Sequence, residues 1–107
     1  MSNINKRWNY IIKSLEKKFK EELSLKGVLY LIGIQELNTD IKKFSKEEKI
    51  ALLHIATCKI LVPFGYYKLS HIDKDGWPHY DEIKALKSLS NQEQEVLIKQ
   101  AIINYLN

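Results

Sequence analysis

The chain has 107 residues, of which 45% are hydrophobic and 28% charged, so it is large enough for one domain and too apolar for a disordered chain. Its single cysteine, Cys58, excludes an internal disulfide, and its longest apolar run, residues 28–34, is far shorter than the ~20 residues that cross a bilayer. Because no secretory apolar region follows the first residues, we expect a cytoplasmic protein with no membrane role.

Residues 4–23 have the pattern of an amphipathic helix. Trp8, Ile11, Leu15 and Phe19 recur at the helical period and predict a stripe that faces the core. The opposite face carries four lysines, Lys6, Lys13, Lys17 and Lys20. The first 26 residues hold seven basic and three acidic side chains, so they account for the whole net charge of +4.

A second helix is predicted over about 25–38. Ser24 precedes it and is a residue type that caps helices. The apolar run at residues 28–32 is also compatible with a buried strand, but Gln35, Glu36 and Leu37 continue the helical pattern. A loop is expected over residues 38–44.

Two capping boxes predict the starts of the remaining long helices. Ser45 with Glu48 precedes a helix over 46–62, and Ser90 with Glu93 precedes a helix over 91–106. The third helix is apolar around almost its whole circumference, which predicts that it is the innermost one.

The segment 64–80 differs from the rest because it holds five of the eleven aromatic residues, Phe64, Tyr66, Tyr67, Trp77 and Tyr80. Residues 66–72 are expected to be extended, and residues 73–76 have the composition of a turn. Pro78 would confine any strand after the turn to an edge. Residues 81–89 are expected to form one or two helical turns.

The fold class is therefore mainly α: a compact array of four main helices in a single domain over 1–107, with a short aromatic-rich loop or hairpin between the third and fourth.

Several strings together resemble a family of small uncharacterised bacterial all-helical proteins. They are GVLYLIGIQEL, FSKEEKIALLHIATCKILVPFGYYK, DKDGWPHY and LSNQEQEVLIKQAIINYL, and they cover most of residues 26–106. The resemblance implies no activity and no site residue, because that family has no assigned function.

No arrangement of metal-binding or nucleophilic residues has the spacing that its chemistry requires. An EF-hand alignment of residues 71–82 puts His71 where the first carboxylate ligand belongs, and Pro78 where a backbone amide is normally needed. A site built from His54, Cys58, His71 and His79 lacks any recognised ligand spacing. Cys58 in the middle of an apolar helix also lacks the electropositive setting that activates a thiol. We therefore expect no metal and no cofactor, and do not expect an enzyme.

A nucleic-acid-binding protein is the alternative interpretation. Three helices followed by a hairpin resemble a winged helix, and the lysine face of the first helix could contact phosphates. However, only one of the 17 basic residues is Arg, and the apolar third helix leaves mainly Lys46, Lys49 and Lys59 to reach DNA.

The favoured interpretation is a binding module for a protein partner, a second copy of the chain or a small ligand. Tyr and Trp are enriched at binding hot spots, and functional surfaces are often found outside regular helices. The predicted contact residues are Tyr66, Tyr67, His71, Trp77 and His79. The competing explanation is that these aromatic side chains pack against the core.

Overall fold

The computed structural model describes residues 2–19, 23–38 and 43–106. Within them the fold is mainly helical, with four α-helices and one small antiparallel sheet, as predicted. The helices are α1 (Ser2–Phe19), α2 (Leu25–Leu37), α3 (Lys46–Leu61) and α4 (Asn91–Leu106). The strands are β1 (Tyr67–Ile72) and β2 (Pro78–Glu82), which lie between α3 and α4.

The first helix is shorter at its C-terminal end than its pattern predicted. The described part of α1 ends at Phe19, and Leu23 lies outside any helix, where its amide donates to the Glu16 carboxylate at 2.8 Å. The predicted helix included Leu23 because this residue continues the apolar period. Its side chain does pack against the core, although its backbone is not helical. Trp8 is buried at the centre of the stripe, as the pattern indicated.

The second helix is a helix throughout, so the strand interpretation of residues 28–32 was wrong. The Ser24 hydroxyl accepts from the Gly27 amide at 3.1 Å, which satisfies one of the amides of the first turn. Asn38 ends α2 in the left-handed conformation, with φ of 55°, and its amide donates to the Gln35 and Ile34 carbonyls.

Both predicted capping boxes are present. The Ser45 hydroxyl accepts from the Glu48 amide at 3.1 Å, while the Glu48 carboxylate accepts from the Ser45 amide at 2.8 Å. Ser90 and Glu93 make the same reciprocal pair at 3.1 and 2.9 Å. The hydrogen bond from the Ser90 amide lowers the pKa of the Glu93 carboxyl.

Removing either cap should weaken the helix that it begins. Ser45→Ala and Ser90→Ala are each expected to lower the free energy of unfolding by about 1 kcal/mol, because one backbone amide loses its acceptor. Equilibrium urea denaturation measures this, and Ser14→Ala, at an exposed serine of α1 outside both boxes, is the control. Unchanged midpoints for both box variants would contradict the assignment of these two starts.

The third helix is central, as its all-round apolar sequence predicted. It packs against α2, α4 and both strands, and it contributes six buried residues, namely Leu52, Ile55, Ala56, Cys58, Ile60 and Leu61. A 3₁₀ turn at Val62–Phe64 follows, where Pro63 prevents the α-helix from continuing. A second 3₁₀ turn, Leu86–Ser88, is the only helical structure in the described segment 81–89.

The buried side chains form a large and a small cluster. The large one joins α1, α2, α3 and α4 around Val28, Ile60, Leu61 and Ile102. The small one consists of Ile34, Phe44 and Leu52, with Tyr30, Leu37 and Trp77 packed against it. The hairpin is thus attached to the helices near both clusters, through Tyr67 at one end and Trp77 at the other.

Candidate binding surface on the hairpin

A β-bulge decides which side chains of the hairpin share a face. Leu69 pairs with Tyr80, but the next pair is His71 with His79, so Ser70 is an extra residue in β1. Simple alternation from Leu69 would put His71 on the same face. The bulge instead turns His71 to the opposite face, beside His79, and returns Ile72 to the face of Leu69.

The hairpin therefore has one apolar and one polar face. We call the first the apolar hairpin face; it comprises Tyr67, Leu69, Ile72, Pro78 and Tyr80, together with Glu82. The opposite face carries Lys68, His71, His79 and Asp81. Only one end of the apolar hairpin face is covered, because Tyr67 is 9% exposed and Tyr80 is half-buried against the core.

The other end of the apolar hairpin face is open. Leu69 is 50% exposed and Ile72 is 61% exposed, although both share a face with the buried Tyr67. In the described part of the chain, the sheet has two strands, so each strand also has one edge without a strand partner. An apolar face beside unpaired strand edges is the kind of surface that binds another polypeptide.

The polar face carries a histidine pair. The rings of His71 and His79 stack with centroids 4.6 Å apart and planes 6° from parallel. Ser70 Oγ lies 3.0 Å from His71 Nδ1, and Asp73 Oδ2 lies 2.9 Å from His79 Nε2. Because imidazole donates its lone pair in the ring plane, stacked parallel rings do not point their nitrogens at a common metal ion.

Asp73 organises the turn between the strands. Its Oδ1 accepts from the Asp75 and Trp77 amides, both at 2.9 Å, and Gly76 takes a φ of 88° that favours glycine. The hydrogen bond with His79, followed by that from the Trp77 amide, lowers the pKa of the Asp73 carboxyl. Both carboxylate oxygens thus serve the turn. Among the described residues, no group of three or more His, Cys, Asp or Glu side chains could hold a metal ion.

The aromatic residues of segment 64–80 mostly face inward. Tyr67 is buried, Phe64 and Tyr66 pack against the large cluster, and Trp77 packs against the small one. Tyr66 is half-buried, and its ring centroid lies 5.4 Å from the Lys84 ammonium. The described ring pairs are Tyr30–Phe44, His54–Tyr67 and His71–His79, so the predicted aromatic surface is not a cluster of rings.

Of the five predicted contact residues, the structure brings the two histidines together on the exposed polar face. The two tyrosines and Trp77 contact the core and hold the hairpin in place. The sequence interpretation missed Leu69 and Ile72: Ile72 shares the face of Leu69 only because of the bulge at Ser70, and the exposure of Leu69 depends on where the hairpin meets the core. The only sequence signal was their apolar character within a segment expected to be extended.

The Cys58 thiol lies 3.5 Å from His54 Nε2, so these two side chains do meet as their spacing suggested. The thiol is fully buried, and burial, followed by the charge of Glu82, raises its pKa to about 11. At neutral pH it is therefore a protonated thiol with little nucleophilic thiolate.

A polar cluster that the sequence did not reveal joins three helices. Tyr105 of α4 donates to the Glu36 carboxylate of α2, and Gln35 donates to the Tyr105 oxygen at 3.2 Å. Lys59 of α3 lies 3.8 Å from the same carboxylate. Burial, followed by the hydrogen bond to Glu36, raises the pKa of the Tyr105 hydroxyl. These contacts hold α2, α3 and α4 in register.

The lysine face predicted on α1 is exposed at three of its four positions, Lys6, Lys13 and Lys17. Lys20, the fourth predicted phosphate contact, lies outside the described residues. The three exposed lysines lie on a single helix and do not surround a concave site with one another.

Comparisons with models of protein families, with curated proteins and with solved structures give no match for this chain. The resemblance to a bacterial family therefore stays a prediction. Within residues 2–19, 23–38 and 43–106, no helix combines the length and apolar character needed to cross a membrane.

Proposed function

We propose that this protein is a non-enzymatic protein-binding module whose contact surface is the open end of the apolar hairpin face. The observation that carries the proposal is the exposure of Leu69 and Ile72. Both lie on the same face of the hairpin as the buried Tyr67 but are not covered by the helices. A partner that covers them would remove two large apolar side chains from water, which is the main favourable term in protein association.

In this proposal the aromatic segment 64–80 contributes in two ways. Tyr67 and Trp77 fix the hairpin on the core, so the contact surface is preorganised and loses little conformational entropy on binding. His71 and His79 lie on the opposite face of the hairpin from the apolar patch. Tyr66, with its partly accessible ring, lies at the start of β1.

The proposal is tested by removing the patch without changing the core. Leu69→Ser with Ile72→Ser should abolish the retention of partner proteins by the immobilised chain and should remove any self-association seen by sedimentation velocity. The matched control is Tyr10→Ser with Leu106→Ser, two exposed apolar residues that lie together away from the hairpin and should leave both results unchanged. Equal retention by the hairpin variant and the wild type would contradict the proposal.

Nucleic-acid binding is a second candidate, favoured by the exposed lysines of α1. Phosphate contacts release counterions, so three contacts would give a log–log salt slope of about 3 at most. Lys13→Glu with Lys17→Glu should abolish such binding to a DNA duplex, as measured by fluorescence anisotropy at two salt concentrations. Leu69→Ser with Ile72→Ser should leave DNA binding unchanged. The two candidate functions therefore predict that different variants lose binding.

A further inference from the structure

A second concave surface lies between α2 and α3 and is lined by different residues from the hairpin. Gly33 of α2 lies against Leu52 of α3. Further toward the C-terminal ends of the two helices, Glu36 of α2 lies near Lys59 of α3. The two helices therefore run in the same general direction, and their N-terminal halves lie side by side. Between these halves is an open groove of about 550 Å³.

The charged side chains that the described residues contribute to this groove are all positive. Lys26 projects from the first turn of α2, and Lys46 and Lys49 project from the first turns of α3. Among the described residues no acidic side chain lines the groove, and the ion pairs Lys59–Glu36, His79–Asp73 and Lys99–Glu95 in that part of the chain involve none of these three lysines. The N-terminus of α2, whose first turn carries no acidic residue, adds positive potential, whereas Glu47 and Glu48 compensate the N-terminus of α3.

The groove also has an apolar floor. Ile50 is 59% exposed although it belongs to the central helix, and Leu53 and Tyr30 lie beside it, half-buried. Tyr30 is held edge-on against the buried Phe44, with ring centroids 6.1 Å apart. An apolar floor with a few convergent charged groups, at this volume, is characteristic of sites for small organic molecules.

We infer that this groove binds an amphipathic organic anion, a phosphate or carboxylate group attached to an apolar body. The acidic group is held by Lys26, Lys46 and Lys49, and the body lies on Ile50, Leu53 and Tyr30. Neither half suffices alone: exposed lysines hold a bare anion weakly in water, and an open apolar floor holds a neutral molecule weakly. The site is separate from the proposed protein-binding surface, so the failure of one leaves the other standing.

The test uses octyl phosphate below its micelle concentration, titrated into the full chain by isothermal titration calorimetry. Saturable one-site binding is expected, with inorganic phosphate and 1-octanol each weaker by at least about tenfold. Lys46→Gln with Lys49→Gln should lower the affinity for octyl phosphate by about tenfold or more. Ile50→Ser should lower it as well, while leaving the weak response to inorganic phosphate unchanged.

The control is Lys13→Gln with Lys17→Gln on α1, which removes two positive charges that do not line the groove and should leave the affinity for octyl phosphate unchanged. All these positions are exposed, so thermal melting should show folded variants. An equal loss of affinity in the control, inorganic phosphate binding as tightly as octyl phosphate, or no saturation at millimolar concentration would each overturn the inference.

Discussion

Gly33→Ala is expected to destabilise the protein by about 3 kcal/mol, enough to remove a large share of the stability of a domain of this size. A Cβ added at Gly33 would lie 2.4 Å from the Leu52 carbonyl oxygen, 2.9 Å from its carbonyl carbon and 3.1 Å from its Cβ. The two nearest atoms are backbone, so no side-chain rotation relieves the contact. The two helices must move apart, which opens the small cluster around Ile34 and Leu52.

Gly27→Ala is the matched control because it makes the same chemical change in the same helix. Its added Cβ would lie 3.4 Å from Leu23 Cδ2 and 3.6 Å from Ser24 Oγ, which are ordinary contacts. Alanine favours helix over glycine by up to about 1 kcal/mol, so Gly27→Ala should be neutral or stabilising. Urea denaturation followed by circular dichroism measures both variants. A Gly33→Ala protein that unfolds at the wild-type urea concentration would show that α2 and α3 do not approach this closely.

The second large effect is expected at Leu61, which has no exposed surface and lies at the end of the central helix. Leu61→Ala should cost about 3 kcal/mol, because it removes buried apolar surface and leaves a cavity that the surrounding elements fill only in part. The slope of unfolding free energy against urea should stay near its wild-type value, since the extent of burial changes little.

Ile50→Ala on the same helix is the control for Leu61→Ala. Ile50 is 59% exposed, and alanine is the better helix former, so the expected change is below about 1 kcal/mol. A cost at Ile50 as large as that at Leu61 would mean that the groove between α2 and α3 is closed in solution. That result would also contradict the anion site proposed for this groove.

Most of the helical architecture was predictable because its determinants are local. Ser45 and Ser90 each accept a hydrogen bond from an amide three residues away, and the high apolar content of α3 predicts its central position. The hairpin was predictable from the turn at residues 73–76, because Gly76 can adopt a positive φ and Asp73 accepts hydrogen bonds from nearby amides.

The features that bear on function depend on contacts between residues distant in sequence, and these only the tertiary structure decided. Tyr105 meets Glu36 across 69 positions of the chain, a pairing for which periodicity offers no signal. The bulge at Ser70, one extra residue, determines that His71 joins His79 and that Ile72 joins Leu69.

The exposure of Ile50 and the burial of Tyr67 also depend on contacts between residues distant in sequence. The helical pattern correctly marked α3 as central, but it could not show that Ile50 lies beyond the surface that α2 covers. The aromatic content of segment 64–80 predicted a distinct segment, but the direction of each ring depended on which face of the hairpin met the core. Capping chemistry therefore determined where α2, α3 and α4 begin. Close packing between those elements decided which apolar side chains were left exposed, because each helix or strand can cover only the surface within its reach.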